Sequence, residues 1–330
     1  MSELRYSIAT GDWVIFSKAR ARRPHDFVQS KKDAAALPEH SASCPFCPGN
    51  EAKSGASLFQ LTDKGAWKVR SVPNTFPALS PDERIDRKTD GFYTSMGGFG
   101  HHEVIVESPR HNTSIALMSD GEVEDIIRVY LSRYITLQAV PGIEAVTIFK
   151  NHGPMAGCSM AHPHSQIVAT PVVPPHLRGR IALAVNYYEI NGSCVYCRMI
   201  EGELKAGTRI LAETEKFIAF LPFASPFPFI VWILPRRHMS NFSDMDEAEI
   251  RDLARTLKHI LGKLYRGLGD PDFNLTIRSC PAKAKENSFF HWYLIVIPRL
   301  SQPGGFEMGT MMPINTSMPE EGAEFLRQVK

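Results

Sequence analysis

The segment Asn151-His-Gly-Pro-Met-Ala-Gly157-Cys158-Ser159-Met-Ala-His162-Pro-His164-Ser-Gln166 carries the densest chemistry in the chain. A glycine-bearing loop runs into a strand on which positions 162, 164 and 166 are expected to share a face, since strand side chains alternate. Two imidazoles and a carboxamide would then line one surface. The loop's backbone N–H groups would sit beside them, able to cradle a phosphate. A neutral imidazole is nucleophilic through one nitrogen when the other carries the proton and is held by an acceptor. His164 in that state can attack phosphorus and split one displacement into two through a covalent nucleotidyl intermediate. Ser159 and Gln166 would supply neutral hydrogen-bond donors. His162 is assigned to a metal that fixes the supporting strand.

The metal reading rests on cysteine spacing. Of six cysteines, four form two C-x-x-C pairs, Cys44/Cys47 and Cys194/Cys197. Each pair is followed by two histidines at matching offsets: 51 residues separate His111 from His162, and 53 separate His238 from His291. Two cysteines and two histidines form a closed tetrahedral set of the kind that holds structural zinc. We therefore expect a zinc site on Cys44, Cys47, His111 and His162, and a second on Cys194, Cys197, His238 and His291. A redox role is disfavoured, because neither pair is flanked by a pattern expected to start a helix and Pro48-Gly49 breaks the chain after Cys47.

The same offsets expose a duplication. Each half reads strand, strand, helix, strand, strand. The first linking helix is expected to begin near Ser119 with Glu122 closing a capping box, and the second near Asp244 with Glu247 in the same relation. Val123, Ile126, Ile127, Tyr130, Leu131 and Tyr134 recur at helical spacing, as do Ile250, Leu253, Leu257, Ile260, Leu261 and Leu264. Both stripes read as core. The order predicts an α+β fold with a helix on one face of a mostly antiparallel sheet in each half. The boundary falls in PVVPPHLRGR, where prolines argue against a regular element, giving domains 1–175 and 176–330. Residues 28–43 and 80–100 read as surface loops.

Bulk properties narrow the partners. The 330 residues are 43% hydrophobic and 22% charged, with a net charge of +2. That balance gives no electrostatic case for nucleic acid or an anionic membrane surface. The longest apolar stretch, around Phe227–Leu234, is too short to span a bilayer. The N-terminus lacks the apolar region of a signal peptide, so a cytosolic location is expected.

The pattern H-x-H-x-Q, preceded by A-G-C-S and by C-P-F-C-P-G-N-E upstream, resembles the galactose-1-phosphate uridylyltransferase family of the histidine-triad superfamily. The resemblance implies two tandem histidine-triad-like domains, only the first catalytic. It also implies a ping-pong exchange in which UDP-glucose gives UMP to His164 and galactose 1-phosphate collects it. Gln166 matches the glutamine that replaces a third triad histidine. Asn74 and Thr75 fall where the family contacts the nucleoside, and Asn151, Gly157, Cys158 and Ser159 where it contacts phosphates. Arg20, Arg22, Arg23 and Pro24 resemble its phosphate clamp. Phe306 and Glu307 resemble a hexose-contacting segment that reaches the partner's site in a homodimer. The lysine that precedes this segment in some members is absent, with Ser301 and Gln302 nearby. The chain also resembles a plant-type branch, ADP-glucose phosphorylase, which transfers AMP from ADP-glucose to phosphate. Uridylyl transfer ranks first, and a non-enzymatic nucleotide-binding relative is the remaining alternative.

Overall fold

The computed structural model describes residues 2–17, 20–28, 37–284 and 287–330. The elements run β1 (Glu3–Tyr6), β2 (Trp13–Phe16), β3 (Phe59–Asp63), β4 (Ala66–Pro73), β5 (Arg87–Asp90), β6 (Tyr93–Met96), β7 (His101–Val106), α1 (Asp120–Gln138), β8 (Ala145–His152) and β9 (His164–Thr170). The second half adds α2 (Pro175–Asn191), α3 (Val195–Ala206), β10 (Ile210–Glu213), β11 (Phe217–Phe220), β12 (Val231–Pro235), α4 (Glu247–Leu268), β13 (Phe273–Arg278), β14 (Tyr293–Pro298), α5 (Gly305–Thr310), β15 (Ile314–Asn315) and α6 (Pro319–Gln328).

Ten strands form one antiparallel sheet in the order β10-β11-β12-β14-β13-β8-β9-β7-β4-β3. Counted from its own first strand, each half has the same order, and the halves meet at their fourth strands. There β8 pairs with β13, with Ile148 opposite Ile277 and Asn151 opposite Asn274. The fold is therefore α+β and built from two similar halves sharing one sheet. β1, β2 and β15 form a small second sheet.

Both linking helices lie side by side on one face of the large sheet. Every residue of the two apolar stripes is buried, and together they fill a core continuous across both halves. Helix α1 starts as expected, with Ser119 as N-cap and Glu122 completing the box. Helix α4 starts two residues later than expected: its N-cap is Asp246, boxed with Glu249. Asp244 instead closes a tight 3₁₀ turn headed by Asn241. Two overlapping boxes were spelled in one stretch, and the local turn took the first.

Three further expectations are corrected. The prolines at 174 and 175 start a helix, because proline at the first helical position loses no intrahelical bond. Within residues 80–100, β5 and β6 pair as a hairpin, with Asp90 opposite Tyr93 and Gly91 at a positive φ of 56°. Cys194 is the N-cap of α3, so the second C-x-x-C does stand at a helix start. Residues 29–36 of the expected loop at 28–43 lie outside the described residues.

Candidate active site and metal centres

Strand β9 begins at His164, so His162 stands just before it rather than on it. From His164 the strand alternates, with Ser165, Ile167 and Ala169 buried and Gln166, Val168 and Thr170 half-exposed. His164 and Gln166 therefore share the face opposite α1, while His162 points into a metal-ligand cluster.

That cluster contains Cys44, Cys47, His111 and His162, all buried, with their donor atoms within 4.8 Å of one another. His162 Nδ1 lies 3.7 Å from Cys44 Sγ, 3.6 Å from Cys47 Sγ and 3.3 Å from His111 Nδ1. Donors on a tetrahedral first-row ion, at about 2.3 Å for sulfur and 2.0 Å for nitrogen, stand roughly 3.3–3.8 Å apart. The spacing fits. The tautomer fits as well: His162 Nε2 donates to the Ser108 carbonyl at 2.8 Å, leaving Nδ1 as the lone-pair donor. Burial lowers the His162 pKa to about 4, and neutral imidazole is the form that ligates. The second cluster repeats the arrangement. Cys197 Sγ is 3.4 Å from His238 Nδ1 and 3.6 Å from His291 Nδ1, and His238 Nε2 donates to Asn287 O at 2.8 Å. Here Cys197 is half-buried and His238 exposed.

His164 Nδ1 lies 2.9 Å from the His162 carbonyl. A carbonyl only accepts, so Nδ1 carries the proton and Nε2 keeps its lone pair. Burial, reinforced by Lys150, lowers the His164 pKa and keeps the ring neutral. His162 thus hands its backbone carbonyl to the neighbouring imidazole, coupling the cysteine and histidine cluster to the His164 ring.

His164, Lys150, Asn151, Gly153, Cys158 and Ser159 help line a cavity of about 700 Å³. Its loop turns on Gly153 (φ 80°) and Gly157 (φ 81°). The second half braces it. Asp272 accepts from the Met155 N–H at 2.6 Å, and Asn274 Nδ2 donates to Asn151 Oδ1 at 2.8 Å and to Ala156 O at 2.9 Å. A Cβ at Gly153 would fall 2.1 Å from the Asp272 carboxylate.

Gln166 Oε1 sits 2.7 Å from His102 Nε2, while His102 Nδ1 accepts from the Ala78 N–H at 3.1 Å. His102 therefore donates through Nε2. The Gln166 oxygen is occupied by this bond, which leaves its NH₂ as the donor end. Asn74 joins this group, its amide 3.4 Å from Gln166 Oε1.

Beneath β9 lies an ion pair that the sequence reading missed. Lys150 Nζ donates to Glu107 Oε2 at 2.7 Å and to the His164 carbonyl at 3.0 Å. Glu107 also accepts from Tyr130 and Ser165. Burial alone would raise the Glu107 carboxyl, but Lys150 and these hydroxyls outweigh it and hold the pKa down. A signal was available: Lys150 falls on the same strand phase as the apolar Val146 and Ile148. Asp272, Asn274 and His102 were also missed, and nothing in their local spelling marks them.

Not every expected residue is brought together. Thr75 is exposed. Arg20 and Arg23 are exposed near the small sheet, where the Arg22 N–H donates to the Thr316 carbonyl at 2.9 Å. Phe306 is 47% exposed and Glu307 half-exposed on α5. Gln166, Gly157 and these residues are not among those lining the His164 cavity.

The family model described as galactose-1-phosphate uridyl transferase, N-terminal domain, matches residues 1–174, and its C-terminal counterpart matches 180–303. The chain belongs to the galactose-1-phosphate uridyl transferase family. Among family relatives, the ADP-glucose phosphorylase of Arabidopsis thaliana is 38% identical, over 99% of this chain and 93% of that protein. The galactose-1-phosphate uridylyltransferase of Thermotoga maritima is 30% identical, over 100% and 99%. The crystal structure of the Arabidopsis thaliana ADP-glucose phosphorylase with bound ADP-glucose superposes with a TM-score of 0.85 at 34% identity, covering 100% of this chain and 99% of that one. Family membership makes the chain a transferase enzyme. Among the described residues, no helix is long and apolar enough to cross a membrane.

Proposed function

We propose that the chain is a hexose-1-phosphate nucleotidyltransferase working through a nucleotidyl-His164 intermediate. The observation that carries this reading is the His164 ring, neutral, with Nδ1–H bound to the His162 carbonyl and Nε2 free beside a glycine loop. In the first half-reaction Nε2 forms a bond to the α-phosphorus of a nucleotide sugar, and the bond to the departing sugar 1-phosphate oxygen breaks. In the second, a phosphate oxygen of the acceptor attacks that phosphorus and the P–N bond breaks. Phosphoryl transfer needs positioning and charge stabilisation above all. Asn151, Gly157, Cys158 and Ser159 position the phosphates, Asn74 and Thr75 the nucleoside, and the Gln166 NH₂ donates to a phosphoryl oxygen.

Zinc is the metal we assign to both clusters, on the strength of two thiol and two imidazole donors in each. Its contribution is structural: it ties the Cys44–Cys47 loop to the approach to β9, and no chemical step passes through it.

Uridylyl transfer from UDP-glucose to galactose 1-phosphate is the reading shared with most of the named relatives. A second reading, adenylyl transfer from ADP-glucose to phosphate, is favoured by the higher identity to the plant enzyme. Intact-protein mass spectrometry after separate incubation with UDP-glucose and ADP-glucose tests both. A uridylyl or adenylyl adduct on the wild type, missing from His164→Ala, supports the mechanism and names the base. Absence of both adducts together with normal turnover defeats it.

Arg20, Arg23 and Phe306 are exposed and Glu307 half-exposed, and none is among the residues lining the His164 cavity. We read them as contributions to the partner's site in a cytosolic homodimer. A monomer by light scattering under active conditions rejects that arrangement.

A further inference from the structure

The second half has a cavity of its own, about 720 Å³, on the outer face of β12, β13 and β14 beneath α2. The internal symmetry makes it the counterpart of the His164 cavity. Two residues after the metal-ligand histidine stands His164 in one half and Tyr293 in the other; four residues after stand Gln166 and Ile295. Gln166 pairs across the sheet with Phe149, and Ile295 with Thr276. Two residues beyond those partners lie Asn151 and Arg278. The nucleophile and its carboxamide have been exchanged for ring and aliphatic surface, and the asparagine for a cation.

The walls are mostly apolar, with Tyr293 stacked on Trp232 at 4.6 Å and 21°. One end is cationic. Arg180 is 92% buried, since only 8% of it is exposed. It donates to Asp12 at 2.8 Å, and Asp12 is the one carboxylate on the lining. Arg278 reaches the His176 ring. Burial, then the two guanidiniums, lower the His176 pKa to about 4, so it adds no positive charge and no counter-charge. Among the described residues, Arg180 Nη1, Arg278 Nε and Trp232 Nε1 are buried donors with no acceptor. All three unmet groups on this lining are donors. A buried donor without a partner costs about 1–3 kcal/mol, so this end of the cavity is short of acceptors. Two guanidinium forks suit an oxyanion.

We propose that this cavity is a second ligand site, which binds a small organic phosphate through Arg180 and Arg278 and packs its apolar ring against Trp232 and Tyr293. Without a nucleophile in the place of His164, it binds and does not transfer.

The test is calorimetric titration of the full-length protein with phenyl phosphate, alongside inorganic phosphate and phenol. It is run on the wild type, His164→Ala, Arg278→Gln and Ile297→Trp, each checked for an unchanged melting temperature. The expected result is one saturable phenyl phosphate site per chain, retained in His164→Ala and not displaced by nucleotide sugar. Affinity should fall about tenfold or more in Arg278→Gln, which removes a charged donor. Ile297→Trp should weaken it comparably by filling the ring end, with all donors intact. Both variants should keep transferase activity. Displacement by nucleotide sugar, unchanged wild-type affinity in either variant, absence of saturation, or equal binding of inorganic phosphate would each overturn the proposal.

Discussion

The two halves share strand order, helix placement and a two-cysteine, two-histidine cluster, yet they treat the ground around the cluster differently. In the first half all four ligand residues are buried, and a buried ion pair lies beneath the following strand. In the second, two of the four reach solvent, and the position matching Lys150, one residue past the cross-strand partner, is the buried Ile277. The second half meets its interior with hydrocarbon. The first carries Lys150 and Glu107 at an electrostatic cost that buried pairs seldom recover as stability. Lys150 holds the His164 carbonyl, so that cost goes into the backbone that carries His164.

The largest effect expected from this contrast is on the metal clusters. A structural zinc set contributes on the order of 10 kcal/mol of folding free energy. Cys47→Ser should lower the melting temperature sharply and remove activity in parallel. Cys197→Ser, in the more open cluster, should lower the melting temperature less and leave most of the activity. Metal analysis and calorimetry of both variants check this, and equal losses of activity would break the contrast.

Next comes the nucleophile. His164→Ala should reduce transfer by about 10⁴-fold or more while the fold is retained, since loss of a covalent nucleophile removes a reaction path. Tyr293→Phe, at the matching position, should leave the rate within about twofold, as expected of a change away from the chemistry. Steady-state kinetics on the pair measures the asymmetry directly.

Lys150→Met leaves Glu107 buried without its cation, and breaking such a pair costs about 3–5 kcal/mol. Denaturant unfolding should show that loss, and the double variant Lys150→Met/Glu107→Leu should recover part of it. If the double variant regains stability but not rate, the pair serves positioning; full recovery of both would make it merely structural.

The smallest effect concerns Gln166. Gln166→Ala should slow both half-reactions by about 10²-fold, the usual worth of one well-placed donor. Gln166→His should shift products toward free nucleoside monophosphate, because an imidazole can shuttle a proton that a carboxamide cannot. The ratio of released monophosphate to transferred product measures this. Mainly free monophosphate from the wild type, with saturating acceptor present, would point to a hydrolase.

What the sequence made legible follows the reach of its signals. The cysteine and histidine offsets located both clusters, since four ligands must recur together to be of use. The helical stripes located α1 and α4, since burial enforces their period. His164 Nδ1 found its acceptor in the backbone of His162, which spelling alone does not reveal. The brace from Asp272 and Asn274 was hidden because it acts across the seam between the halves, from residues of ordinary loop and strand types. The start of α4 was misplaced by two residues because Asp244 and Asp246 each head or close a box, and local hydrogen bonding chose between them. The prolines at 174–175 were read as breakers although the first helical turn tolerates them.

The β8–β13 seam has a consequence for synthesis. His164 and its whole metal-ligand set leave the ribosome well before Asp272 and Asn274 do. Until β13 docks, the loop that should grip phosphate has lost its anchors at Met155, Asn151 and Ala156. An unfinished chain would thus carry the His164 imidazole without the braced loop beside it.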